Sequence, residues 1–168
     1  MKISIRPLPA GFLRRVRETG LDDQDQPVRR LIATGGEPCR DVLRRARPGE
    51  AIILASYCPF ASPSPFREYG AVYVLANPSA EPVPSDGFPA ASDYFEASLV
   101  LRAYDQIHDI SAAVLTSRWS APKKIEDFLS RPDVRFVDAR FPTFGCFACR
   151  FERVTAKPAL PPEHVGKD

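Results

Sequence analysis

Ala51-Ile52-Ile53-Leu54-Ala55-Ser56-Tyr57 decides the fold class. Seven residues carry no charge and are apolar at both odd and even positions, the pattern of a strand covered on both sides. A second run, Ala71 to Ala76, follows a loop with Pro59, Pro63 and Pro65. Ser98–Tyr104 instead alternates, with Leu99, Leu101 and Ala103 on one face and Val100, Arg102 and Tyr104 on the other. Further strands are expected at Lys2–Arg6, Val28–Thr34, Ser111–Thr116, Val134–Phe141 and Cys146–Val154. Two helices separate them. In residues 10–19, Phe12, Leu13 and Val16 share a face and Gly20 marks the stop. In the second, Ser120 or Ala121 opens the helix, Pro122 sits in its first turn, Ile125, Phe128 and Leu129 form the stripe, and Pro132 ends it. Cys39–Arg47 reads as a short helical turn closed by Pro48-Gly49.

The expectation is an α+β fold in one domain over residues 1–155, with a mixed, mostly antiparallel sheet of about six or seven strands and two main helices. Residues 156–168, with Pro158, Pro161, Pro162 and Gly166, read as a flexible tail. The chain of 168 residues has the length of one domain. Its 18 prolines, about twice the usual ~5% frequency, lie between the strands and imply long, stiff connections.

Charge excludes some functions. The net charge of +2 divides into +4 over residues 1–50, −4 over 51–120 and +2 beyond. Blocks so mixed do not make the continuous basic stripe that nucleic acid demands, so nucleic acid is not an expected partner. No 18 apolar residues stand together and no signal peptide is visible, so no membrane association is expected. Four cysteines at 39, 58, 146 and 149 are too few and scattered for a disulfide scaffold. Reduced thiols in the cytoplasm are the expectation.

The motifs with chemistry in them are few. Cys146-Phe-Ala-Cys149 sits in a strand pattern, where positions three apart face opposite ways. Phe147, Cys149 and Phe151 are therefore expected on one face, and the two sulfurs do not converge on zinc or form a redox pair. Cys39, Cys58, Cys146 and His108 have no metal-ligand spacing, and neither a metal nor a cofactor is implied. No Walker loop, nucleophile elbow or dinucleotide fingerprint is present. His108 follows Asp105 and precedes Asp109, acidic neighbours that would hold it protonated.

Arg102 inside an apolar strand needs a carboxylate partner, such as Glu50 or Asp105, or a cleft. Guanidinium groups grip carboxylates and phosphates bidentately. Arg40, Tyr57, Arg102 and Tyr104 are thus candidate ligand-binding residues for a small anion. Three functions stay open: a binding module for a small anionic ligand; a cysteine-dependent enzyme with Cys39 or Cys146 as nucleophile and His108 or Glu50 as base; and an interaction protein or homodimer without catalysis.

Pro38-Cys39-Arg40, Leu43-Arg44, Pro48-Gly49-Glu50, Ser56-Tyr57 with Pro59-Phe60, Gly70 through Val74, Leu101-Arg102-Ala103-Tyr104-Asp105 and Gly145-Cys146 together carry a resemblance. The chain resembles the domain-of-unknown-function family 1203 over roughly residues 3–154. The family pattern often has a second cysteine three positions after the first; here Val42 stands there. The resemblance implies a bacterial, single-domain protein and no particular activity.

Overall fold

Among the described residues ten strands form two five-stranded sheets, where the sequence suggested one sheet of six or seven. A computed structural model describes residues 1–154; the tail expected at 156–168 lies outside the described residues. The strands are β1 (Ile3–Arg6), β2 (Arg29–Ile32), β3 (Pro38–Cys39), β4 (Arg44–Arg45), β5 (Ala51–Tyr57), β6 (Gly70–Leu75), β7 (Ser98–Tyr104), β8 (Ile110–Ser117), β9 (Phe136–Arg140) and β10 (Phe147–Arg153). The first sheet runs β1-β10-β9-β7-β8, all antiparallel, and the second runs β2-β5-β6-β3-β4 with one parallel pairing between β3 and β6. Helix α1 (Ala10–Arg14) widens into a π turn over Arg15–Thr19, and α2 spans Ala121–Leu129.

The apolar spacing explains each core. In the second sheet Ile53, Ala55 and Tyr57 of β5, with Val72 and Val74 of β6, pack on Phe12 and Val16. Ile52 faces the other way, onto Ala33, Cys39 and Leu75. In the first sheet Leu99, Leu101, Ala103, Val137, Ala139, Cys149 and Phe151 pack on Ala121, Ile125 and Leu129 of α2. The opposite face of this sheet is charged. Arg150, Asp138 and Arg102 stand in one row across β10, β9 and β7, and Glu152, Phe136 and Tyr104 stand in the next.

Two local expectations are corrected. A bulge at Ala148 inserts an extra residue between Phe147, opposite Arg140, and Cys149, opposite Ala139. The bulge reverses the alternation, so Phe147 joins Tyr57 in the second sheet's core (5.5 Å between ring centroids) while Cys149 and Phe151 stay in the first. Cys39–Arg47 is a tight β3–β4 connection and not a helical turn. Residues 39–43 are all buried, which no helical stripe achieves, and Leu43 takes a left-handed φ of 51° to place its side chain in the first sheet's core. Burial outweighs the strain of about 1–2 kcal/mol that such a conformation carries.

Candidate functional site: two clefts and a charged sheet face

The first cleft, about 520 Å³, opens between α1 and the β7–β8 turn, lined by Phe12, Arg15, Tyr57, Cys58, His108 and Arg135 among others. His108 belongs to that turn with φ 70°, and the Asp105 carboxylate is committed to the backbone N–H groups of Ile107 and Asp109 (3.0 and 2.9 Å). The charge of Asp105 still favours the protonated imidazole, but it is outweighed. Burial, then the charges of Arg135 and Arg150, push the imidazole below its ordinary pKa. Arg135 Nη1 lies 3.1 Å from Nε2 and can only donate, so the proton sits on Nδ1. Tyr57 is buried against Phe12 (centroids 4.8 Å apart), and burial raises its hydroxyl pKa.

The second cleft, about 450 Å³, has the Leu54, Ala71 and Tyr73 face of the second sheet as its floor. Its walls come from the Thr34–Pro38 turn, Arg40, Arg45, Glu96 and the β9–β10 turn with Phe141, Phe144 and Cys146. Arg40 is buried, its Nε donating to Phe147 O (2.9 Å) and its Nη1 to Pro38 O (2.5 Å). Arg45 donates to Asp93 O (2.9 Å) and Gly36 O (2.7 Å). Both guanidiniums lie against the Phe141 ring, 5.0 and 5.9 Å from its centroid. Neither makes an ion pair with a carboxylate among the described residues, whereas Arg17, Arg44 and Arg150 each do.

Arg102 and Tyr104 lie elsewhere, on the charged face of the first sheet. The partner of Arg102 is Glu68 (3.1 Å), from the segment between β5 and β6, and not Glu50 or Asp105. Arg40, Tyr57 and the Arg102–Tyr104 pair therefore occupy three different places. The catalytic candidates also separate. Cys39 is fully buried and its thiol is pushed up to about 12, by burial first and then by Asp41. Cys146 lines the second cleft and His108 the first.

Glu50 is gripped through both oxygens by Arg44 (2.7 and 2.8 Å) and also accepts from Arg47 N (2.7 Å). Arg44 holds its carboxyl down at about 2, against an ordinary 4.5. A depressed carboxylate pKa supports the fold above about 4.5, and that support is lost as pH falls toward about 2. Glu50→Gln should cost about 1–2 kcal/mol at pH 7 and flatten the acid limb of the stability curve in that window, as read by urea titration at several pH values. An unchanged acid limb would show that the ion pair adds nothing.

Sequence reasoning missed Arg45, Phe141, Glu68 and Arg140. Arg45 was legible only as one charge in the +4 block of residues 1–50, and the others gain meaning from contacts between segments distant in sequence. Among the described residues no group of three or more His, Cys, Asp or Glu side chains is placed to hold a metal ion, and no helix is long and apolar enough to cross a membrane. No curated protein and no solved structure matches the chain. The family model described as protein of unknown function (DUF1203) matches residues 36–153, from the turn at the mouth of the second cleft to the end of β10, and the chain belongs to that family.

Proposed function

We propose that the chain binds a small anionic molecule with an apolar or aromatic body, in the second cleft. Arg40 carries the proposal: it is 3% exposed, yet among the described residues its charge meets only carbonyl dipoles and an aromatic face. Desolvating a cation without a counter-ion costs several kcal/mol, and a ligand carboxylate or phosphate would offset that cost. Arg45 supplies a second guanidinium on the same ring. Carbonyl groups fix both cations in advance, which lowers the ordering cost of binding. Leu54, Ala71, Tyr73 and Phe144 offer apolar contact, and the volume suits a small molecule.

The alternative of a cysteine enzyme has less support. Cys146 reaches this cleft, but neither His108 nor Glu50 lines it.

Titration with benzoate and inorganic phosphate by calorimetry tests the proposal. Benzoate is expected to bind, and Arg45→Gln to weaken it about tenfold or more. Absence of binding by either anion at millimolar concentration would sink it.

A further inference from the structure

On the charged face of the first sheet, polar groups converge that do not satisfy one another. Arg140 on β9 lies opposite Val100, two residues before Arg102 on β7, and Tyr104 follows two residues after, all on one face. Arg140 is 4% exposed. Its Nη1 donates to Gly145 O (2.9 Å) and its Nη2 is in ion-pair contact with Glu68 Oε1, but among the described residues neither Nη2 nor Nε makes a hydrogen bond. Arg102 Nη1 meets that same Glu68 oxygen at 3.1 Å. The Tyr104 hydroxyl is buried beside the Arg140 and Arg102 guanidiniums, yet no described residue makes a well-formed hydrogen bond to it.

Two strands fix these cations, but the anion between them comes from a connecting segment. The Glu68 side chain is 42% exposed, and no other described residue pairs with its carboxylate. One of its oxygens faces both guanidiniums, leaving the Arg140 Nε and Nη2 and the Tyr104 hydroxyl without a hydrogen bond among the described residues. Along the row, Asp138 is already committed to Arg150 through both oxygens. We infer that Arg102, Arg140 and Tyr104 form a receptor for a small oxyanion, a carboxylate or a phosphate, and that Glu68 is an internal stand-in which the incoming anion displaces. A planar or tetrahedral oxyanion offers the extra acceptors that the single Glu68 oxygen does not. This site is distinct from the second cleft, which neither Arg102 nor Arg140 lines.

An internal competitor weakens apparent affinity by the fraction of time it occupies the site. Glu68→Gln in the full chain keeps the shape and removes the charge. Calorimetric titration with succinate and with inorganic phosphate, at ionic strength held constant with sodium chloride, reads the effect. The variant is expected to bind one of them about tenfold or more tighter than the parent chain, with a matching rise in melting temperature. Which anion gains identifies the ligand chemistry. The gain should vanish in Glu68→Gln/Arg102→Met and persist in Glu68→Gln/Arg45→Gln, which separates it from binding in the second cleft. No gain for either anion, or a gain that survives Arg102→Met, overturns the inference. Should Glu68→Gln not fold, Glu68→Asp, too short to reach both guanidiniums, must show the same gain.

Discussion

Replacing Asp138 with alanine is expected to destabilise the fold by about 3–5 kcal/mol, the range for breaking one side of a buried ion pair. Asp138 is fully buried in the middle of the Arg150–Asp138–Arg102 row. Its oxygens accept from Arg150 Nε at 2.7 Å and Nη2 at 3.0 Å. Burial pushes the carboxyl above its ordinary pKa while Arg150 and Arg140 oppose that push, and two accepting oxygens fit the ionised form. Removing it strands the Arg150 guanidinium, which lies 3.6 Å from the Phe136 ring centroid and donates to Pro59 O at 3.0 Å. Arg150 thereby anchors the segment between β5 and β6, so the loss reaches the second sheet. Asp138→Asn keeps one acceptor and should cost less, about 1–3 kcal/mol. Urea unfolding of Asp138→Ala, Arg150→Met and the double variant measures the coupling. The double variant should recover part of the loss, since a packed apolar pair avoids the desolvation cost. A loss below about 1 kcal/mol for Asp138→Ala would mean that water reaches the row and that the pair behaves as a surface one.

How far the sequence could be read follows from which features were local. The two-faced apolar run of β5 and the stripe of α2 are properties of consecutive residues, and both elements form where expected. The division into two sheets is a property of pairing, and nothing in the β5 or β7 sequence names its neighbours. The two-residue strands β3 and β4 have no period at all. The Ala148 bulge was invisible for the same reason, and it decides that Phe147 and Cys149 enter different cores. For the site, the polar residue inside an apolar strand was the useful signal: Arg102 does have a carboxylate partner. Which carboxylate could not be read, because Glu68 comes from a proline-rich segment with no periodicity. The grouping of Arg40 with Arg102 and Tyr104 rested on residue type alone. The topology separates them because β3 belongs to one sheet and β7 to the other.

Arg40→Met distinguishes a ligand-binding guanidinium from a structural peg, because the two roles predict opposite patterns of loss. Methionine keeps much of the length and apolar body of arginine and removes the charge. Stability feels two opposing effects. The cost of burying an unpaired cation disappears, while Phe147 O and Pro38 O lose their donors, at about 1–3 kcal/mol for each group left unpaired. The two largely cancel, so the unfolding free energy read by urea titration should stay within about 1 kcal/mol of the parent. Binding has no such compensation. Truncating one side of a desolvated charge pair costs 2–5 kcal/mol or more, so benzoate affinity should fall about 100-fold. Arg40→Lys retains the charge but not the fork that spans both carbonyls, and should fall between them. If Arg40→Met instead lost about 3 kcal/mol or more of stability and left anion affinity unchanged, the guanidinium would be a brace between β3 and the start of β10. Its uncompensated charge would then be a cost carried for that brace, and the second cleft would have no claim on an anion.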